Sequence, residues 1–197
     1  MKKIIAAIFI FVGVHSFVIA GEPKLKKIFT GKNLNGWVAK PDVEGCWKAS
    51  KGILYVRNSE DKKGAILWTE KSYTDFVFQA NFLMGDGTVD SGIFLRSESD
   101  QIQIGISGSL KRDLTASPYL PKLKYPVEAN VKGILKEKDW NTMKIKVTGK
   151  TYTVWLNGVE VMTYTSAFIP EKGPIGIQLH PGNVMSIQYR KIKLAEL

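Results

Sequence analysis

The stretch Asp139-Trp-Asn-Thr-Met-Lys-Ile-Lys-Val-Thr-Gly-Lys-Thr-Tyr-Thr-Val-Trp-Leu-Asn-Gly-Val-Glu-Val-Met-Thr-Tyr-Thr165, followed by Gly173-Pro-Ile-Gly-Ile-Gln-Leu-His180, decides how this chain folds. Apolar and polar residues alternate with period two, and the alternation breaks at Gly149-Lys150 and again at Asn157-Gly158. Period two sends successive side chains to opposite faces of a strand. Asn-Gly between two such runs marks a tight hairpin, because both central residues of a type I′ turn need positive φ. The segment therefore reads as a three-strand meander. The strand after it puts Gln178 and His180 on one face and Ile177 and Leu179 on the other.

Working outward, the same short strand-like runs recur along the chain. They are Trp47 to Ala49, Ile53 to Val56, Ala65 to Trp68, Phe76 to Met84, Gly92 to Arg96, Gln101 to Ile106 and Met185 to Leu194, with turn signals such as Gly85-Asp-Gly87 and Pro181-Gly-Asn183 between them. Many short strands without an amphipathic helix predict an all-β sandwich or jelly roll of two antiparallel sheets. The segment from Gly108 to Lys138 breaks the rhythm with Pro118, Pro121 and Pro126. It reads as a long structured loop over a sheet face, of the kind that often carries function, with room for a helical turn between Val127 and Leu135.

Residues 1–20 read as a secretory signal: Lys2 and Lys3 precede an apolar run from Ile4 to Val18, and cleavage is expected after Ala20. The run is short for a spanning helix, and no cysteine at the cleavage point invites a lipid. The expectation is a secreted or periplasmic protein with one domain over residues 21–197. The formal net charge of +10 is scattered over many lysines, without the focused basic patch that nucleic-acid binding requires. Cys46 is the only cysteine, which excludes an intrachain disulfide, and its place beside Trp47 suits a small buried residue.

With His15 in the signal, His180 is the one histidine left for chemistry. Gln101 and Gln103 alternate with Ile102 and Ile104 as Gln178 and His180 do with Ile177 and Leu179. In a two-sheet sandwich the isoleucines and the leucine point inward, so amides and one imidazole line an outer face. Such a strip offers sugar hydroxyls both donors and acceptors; the plainer reading of His180 is an ordinary half-exposed strand histidine. Arg96 shares strand parity with Gly92 and Phe94 and offers a fixed donor fork, or else pairs with Glu98 at the surface. Asp90 is a candidate base or orienter of His180, or a turn cap. Trp68, Trp155, Tyr119 and Tyr125 are candidate stacking platforms, while Trp37, Trp47 and Trp140 read as core. There is no HExxH, no phosphate-cradling glycine loop and no nucleophile elbow. No cofactor is expected, although one imidazole with Asp and Gln oxygens is chemically able to hold a divalent ion.

Several motifs then point one way. Ile28-Phe-Thr-Gly-Lys-Asn-Leu-Asn-Gly-Trp37, Tyr73-Thr-Asp-Phe76, Asp90-Ser-Gly-Ile-Phe-Leu-Arg96, Gln101-Ile-Gln-Ile104, Leu156-Asn-Gly158, Gly173 to His180 and Tyr189-Arg-Lys-Ile-Lys-Leu194 stand in order over the chain after residue 20. This pattern resembles the family catalogued as a domain of unknown function (1080), described as 3-keto-glycoside lyases, hydratases or hydrolases. The resemblance implies a concanavalin-like jelly roll with a sugar site on a concave face, catalysis on 3-keto-glycosides, and a separate oxidoreductase that supplies the keto sugar. The chain departs from the family pattern where Asp90 stands for a frequent Asn, and where Gln101 and Asn81 stand at or near frequent Glu positions. On this reading His180 is the base, with Arg96 and Gln103 as donors to an enolate, Asp90 beside them, and Gln101, Gln178, Tyr119 and Trp68 on the substrate. Two rivals stand beside it. A two-carboxylate glycoside hydrolase needs a pair of acids roughly 5–9 Å apart, and no such outward-facing pair is evident in the sequence. A non-catalytic carbohydrate-binding module is favoured by the amide replacements and opposed by Arg96 and His180.

Overall fold

The structure, a computed structural model, describes residues 21–197, so the expected signal lies outside the described residues. In chain order the strands are β1 (Lys26–Lys27), β2 (Trp37–Val38), β3 (Trp47–Ser50), β4 (Ile53–Arg57), β5 (Ala65–Thr69), β6 (Phe76–Gly87) and β7 (Asp90–Leu95). They continue with β8 (Gln101–Gly105), β9 (Pro118–Tyr119), β10 (Asn141–Thr148), β11 (Thr151–Leu156), β12 (Val159–Thr165), β13 (Ile175–Leu179) and β14 (Met185–Glu196). The only helical element among the described residues is a 3-10 turn at Pro41–Cys46, which the sequence reading did not anticipate. Among the described residues no helix is long and apolar enough to cross a membrane.

The strands form two antiparallel sheets. An eight-stranded sheet runs β12-β11-β10-β6-β14-β4-β3, with β1 also paired to β14, and a six-stranded sheet runs β2-β5-β13-β7-β8-β9. The meander is present as read: β10 pairs with β11 and β11 with β12, and Asn157 and Gly158 both take positive φ, 52° and 88°. Alternation decides the faces. Ile93, Leu95, Ile102, Ile104, Ile177 and Leu179 point between the sheets and are at most 1% exposed, where they meet Phe78, Phe82, Ile145 and Ile187 of the larger sheet. Burial of this double apolar layer is what holds the sheets together. Ser91 is the polar intruder on the inner face. Its hydroxyl donates to the Gln178 carbonyl (2.7 Å) and pairs with the Tyr189 hydroxyl (2.9 Å), so neither group is left unsatisfied.

One expected strand residue departs from its parity. β7 ends at Leu95, and Arg96 adopts φ 63°, the left-handed region. That turn removes Arg96 from the outer face it would share with Gly92 and Phe94. The segment expected to allow a helical turn, residues 127–135, contains a single hydrogen-bonded turn in which Ile134 and Leu135 both donate to the Val131 carbonyl.

Candidate functional site

The outer face of the six-stranded sheet is built in rows across its strands. Trp68 of β5, Gly176 of β13, Phe94 of β7, Gln101 of β8 and Tyr119 of β9 lie side by side in register. Gln178 stands beside Ile66, and Gln103 beside Gly92, in the adjoining row. The loops after β8 and β13, with Tyr119 and Tyr125, rise around the middle of this face and enclose a hollow of about 460 Å³. Asp90, Gln101, Gln103, Gln178 and His180 line its floor and one wall, and Tyr119 and Tyr125 line another.

Glycine makes the floor possible. A Cβ on Gly92 would fall 2.7 Å from Gln101 Cδ and closer still to its Nε2, so the Gln101 side chain lies flat across bare backbone. There its amide nitrogen donates to Gln178 Oε1 (2.8 Å) and to the Ser91 carbonyl (3.2 Å). Both N–H bonds of Gln101 are thus committed, and Gln178 is turned so that its own Nε2 makes no hydrogen bond among the described residues. Gln103 is held at both ends: its Nε2 donates to Asp90 Oδ1 (2.9 Å), and its Oε1 accepts from the Tyr125 hydroxyl (3.2 Å). Burial, with the Asp90 charge adding to it, pushes the Tyr125 phenol up to about 12, which keeps it a proton donor across the neutral range.

His180 follows the last residue of β13 and is pinned through its backbone. Asn58, just past β4, donates from Nδ2 to the His180 carbonyl (3.2 Å), while its Oδ1 accepts from the Met185 amide (3.0 Å). The ring Nδ1 lies 2.8 Å from the Pro181 carbonyl. A carbonyl only accepts, so the proton of the neutral ring is on Nδ1 and Nε2 carries the lone pair. Nε2 stands 3.7 Å from Asp90 Oδ2. Asp90 is buried and also accepts from the Gly108 amide at 2.9 Å. The loop passes this close because residue 108 has no side chain: a Cβ there would meet Asp90 Oδ2 at 3.0 Å and His180 Nε2 at 3.8 Å.

The structure therefore brings together His180, Asp90, Gln101, Gln103, Gln178 and Tyr119. It does not bring Arg96 to them. The Arg96 guanidinium is buried in the opposite direction, donating to the carbonyls of Thr74, Gly149 (2.7 Å) and Pro170 (3.0 Å) and to Asp75 (3.1 Å). Its expected role as an enolate donor is corrected to that of a tie between loops, and its partner is Asp75 rather than Glu98. Trp68 is on the predicted face but lines a neighbouring cavity that shares Gln178 and Pro181 with the hollow. Trp155 lies on the other sheet under Lys144, away from the hollow. Sequence reading missed Asn58, Gly108 and Lys111. Lys111 is the one lysine on the wall of the hollow, and no local pattern distinguishes it from the other surface lysines. Among the described residues no group of three or more His, Cys, Asp or Glu side chains gathers to hold a metal ion.

Comparison with known proteins supports the same architecture. No curated protein matches the chain. Two solved structures from Parabacteroides distasonis ATCC 8503, each provisionally named a glycosyl hydrolase, superpose with TM-scores of 0.65. The first is 24% identical and covers 88% of this chain and 100% of its own; the second is 16% identical and covers 88% and 94%. The carbohydrate-binding module CBM66 of Bacillus subtilis superposes with a TM-score of 0.52 at 13% identity, covering 81% of this chain and 96% of its own. At these identities the likeness is one of fold, shared by named hydrolases and a binding module alike. The sequence itself decides the family: residues 24–195 match the model of the 3-keto-alpha-glucoside-1,2-lyase-like domain, and the chain belongs to that family.

Proposed function

We propose that the hollow binds the sugar ring of a 3-keto-glycoside and that His180 Nε2 is the base that opens its chemistry. A ketone at C3 acidifies the hydrogen on C2. His180 takes that proton, the C2–H electrons move toward the C3 oxygen as an enolate, and the C1 substituent then leaves with its bonding pair to give an unsaturated keto sugar. Addition of water to that product completes net hydrolysis. The observation that carries this reading is the pair of contacts at His180, Nδ1 on the Pro181 carbonyl and Nε2 facing the buried Asp90 carboxylate, which together favour a lone pair on Nε2. Before the transfer, Asp90 and the lone pair do not attract. Once Nε2 holds the proton, the imidazolium and Asp90 form an ion pair, so the interaction is stronger after charge develops than before, which is the requirement for catalysis.

The enolate needs donors, and with Arg96 elsewhere the groups on the wall of the hollow with N–H bonds to spare are Gln178 Nε2, the second N–H of Gln103 and Lys111. Gln101 spends both its N–H bonds orienting Gln178 and the floor, whereas Gln103 orients Asp90 with one N–H and keeps the other for the substrate. The oxidation that makes the ketone belongs to a separate oxidoreductase, and the expected export signal would place the reaction outside the cytoplasm. The test is incubation of the purified protein with a 3-keto-glucoside and with its unoxidised parent, following aglycone release. Turnover of the keto form alone, abolished in His180→Ala, is the expected result. Binding of both sugars with no turnover would make the protein a carbohydrate-binding module and refute the catalytic reading.

A further inference from the structure

Beside the hollow lies a second cavity of about 540 Å³ on the same sheet face, with Gln178 and Pro181 lining both. Its floor is an aromatic platform. Trp68 and Phe94 flank Gly176 in register across three strands, and their rings stand 5.7 Å apart at 38°. Gly176 is required there, because a Cβ would meet Trp68 Cζ3 and the Ile66 side chain at 2.6 Å. Phe94 is almost covered at 6% exposed, so the half-buried Trp68 offers the accessible ring. Ala39, Pro41, Ala65 and Pro181 are among the surrounding residues, and only Lys40, Glu98 and Gln178 bring polar side chains.

We propose that this cavity receives the departing group of the substrate, and that this group is an apolar planar ring, an aromatic aglycone, rather than a second sugar. The proposal rests on the reading of the hollow as the keto-sugar site. With the sugar ring beside His180, a C1 substituent crossing Gln178 enters the second cavity. A second hexose would bring several hydroxyls onto a mostly apolar floor, and each one stripped of water without a partner is costly. An aromatic ring stacks on Trp68 without that penalty. The first hollow, lined by amides, a carboxylate and an imidazole, is the wall suited to hydroxyls.

The test compares wild type, Trp68→Ala and Trp68→Phe on phenyl, methyl and disaccharide 3-keto-glucosides. Thermal midpoints confirm folding, and saturation-transfer NMR follows binding of unoxidised phenyl and methyl glucosides. Trp68→Ala should lower kcat/KM on the phenyl substrate roughly threefold to tenfold, leave the methyl substrate unchanged, and be largely rescued by Trp68→Phe. Equal losses on phenyl and methyl substrates, or a wild-type preference for the disaccharide, would overturn the proposal while leaving the catalytic reading intact. If no keto-glycoside turns over, phenyl glucoside binding that depends on Trp68 still upholds an aromatic subsite, and its absence overturns it.

Discussion

Arg96 separates a structural from a catalytic reading of the family's motif, and Arg96→Met is the informative change. The guanidinium is only 1% exposed as a side chain and ties three backbone carbonyls and Asp75 together. Of its nitrogens, Nε alone finds no partner among the described residues. Burial pulls its pKa below the ordinary guanidinium value, and Asp75 opposes that shift. Removing one member of a buried ion pair costs about 3–5 kcal/mol. The lower end applies here, because Asp75 is 36% exposed as a side chain and keeps the Gly149 amide as a donor at 2.8 Å. The three carbonyls left behind belong to exposed or half-buried residues, Thr74, Gly149 and Pro170, which water can reach, and this too favours the lower end. About 3 kcal/mol lowers the thermal midpoint by about 6–12 °C in a domain of this size. Circular dichroism melts give the midpoint, and turnover of a 3-keto-glucoside at 20 °C, well below the transition, gives the activity of the folded variant. The expected outcome is a large loss of stability with kcat within about twofold of wild type. A midpoint within about 2 °C of wild type together with a hundredfold loss of kcat would refute the assignment and return Arg96 to the chemistry.

Three further outcomes follow from the same geometry. Asp90→Asn removes the charge that stabilises protonated His180 and should lower kcat about tenfold or more, discounted for the partial exposure of the ring from the roughly 4 kcal/mol of a close pair near a protein surface; an unchanged kcat would remove Asp90 from the mechanism. Gly92→Ala pushes Gln101 off the floor and breaks its bonds to Gln178 and Ser91, costing about 1–3 kcal/mol of stability and raising KM; a variant that melts and binds like wild type would show that the amide chain orients nothing. Tyr125, with its phenol raised to about 12 in the folded state against about 10 unfolded, contributes stability that is complete below pH 10 and lost as pH rises toward 12. Thermal midpoints measured from pH 9 to 12 should therefore fall more steeply for wild type than for Tyr125→Phe, and parallel curves would contradict the burial of the phenol.

The fold was legible because it rests on local rules that nothing overrode. Period-two alternation put Ile102, Ile104, Ile177 and Leu179 inside, and Asn157-Gly158 closed the hairpin with both φ values positive. The shared face of Gln101, Gln103, Gln178 and His180 was legible for the same reason, since parity within a regular strand is a matter of counting. Arg96 failed where the counting stopped. A left-handed arginine reverses the side chain's direction, and nothing in Leu95-Arg96-Ser97 marks it, because that conformation announces itself only through Gly, Asn or Asp. Asn58, Gly108 and Lys111 were out of reach for a different reason. They come to the site on loops whose course depends on long-range contacts, such as the Gly182 amide donating to the Lys62 carbonyl at 2.9 Å.

What distinguishes this face from a simple sugar-binding strip is that the polar groups of its floor are bonded to one another. Gln101 has committed both N–H bonds, Gln103 both ends of its amide, and Asp90 both oxygens. A surface selected only to hold hydroxyls gains by leaving such groups available, since each free donor or acceptor is a contact for the ligand. Here they are committed to one another, and their combined effect is to hold an imidazole, a carboxylate and a single outward amide in a fixed arrangement. Fixed dipoles do little for a neutral sugar that already satisfies its hydroxyls in water. They matter when charge appears on the ligand, because groups already in place need not reorganise as it forms. The hydrogen-bond pattern of the hollow is thus a stronger reason to expect a reaction than the likeness of its fold, which hydrolases and binding modules share.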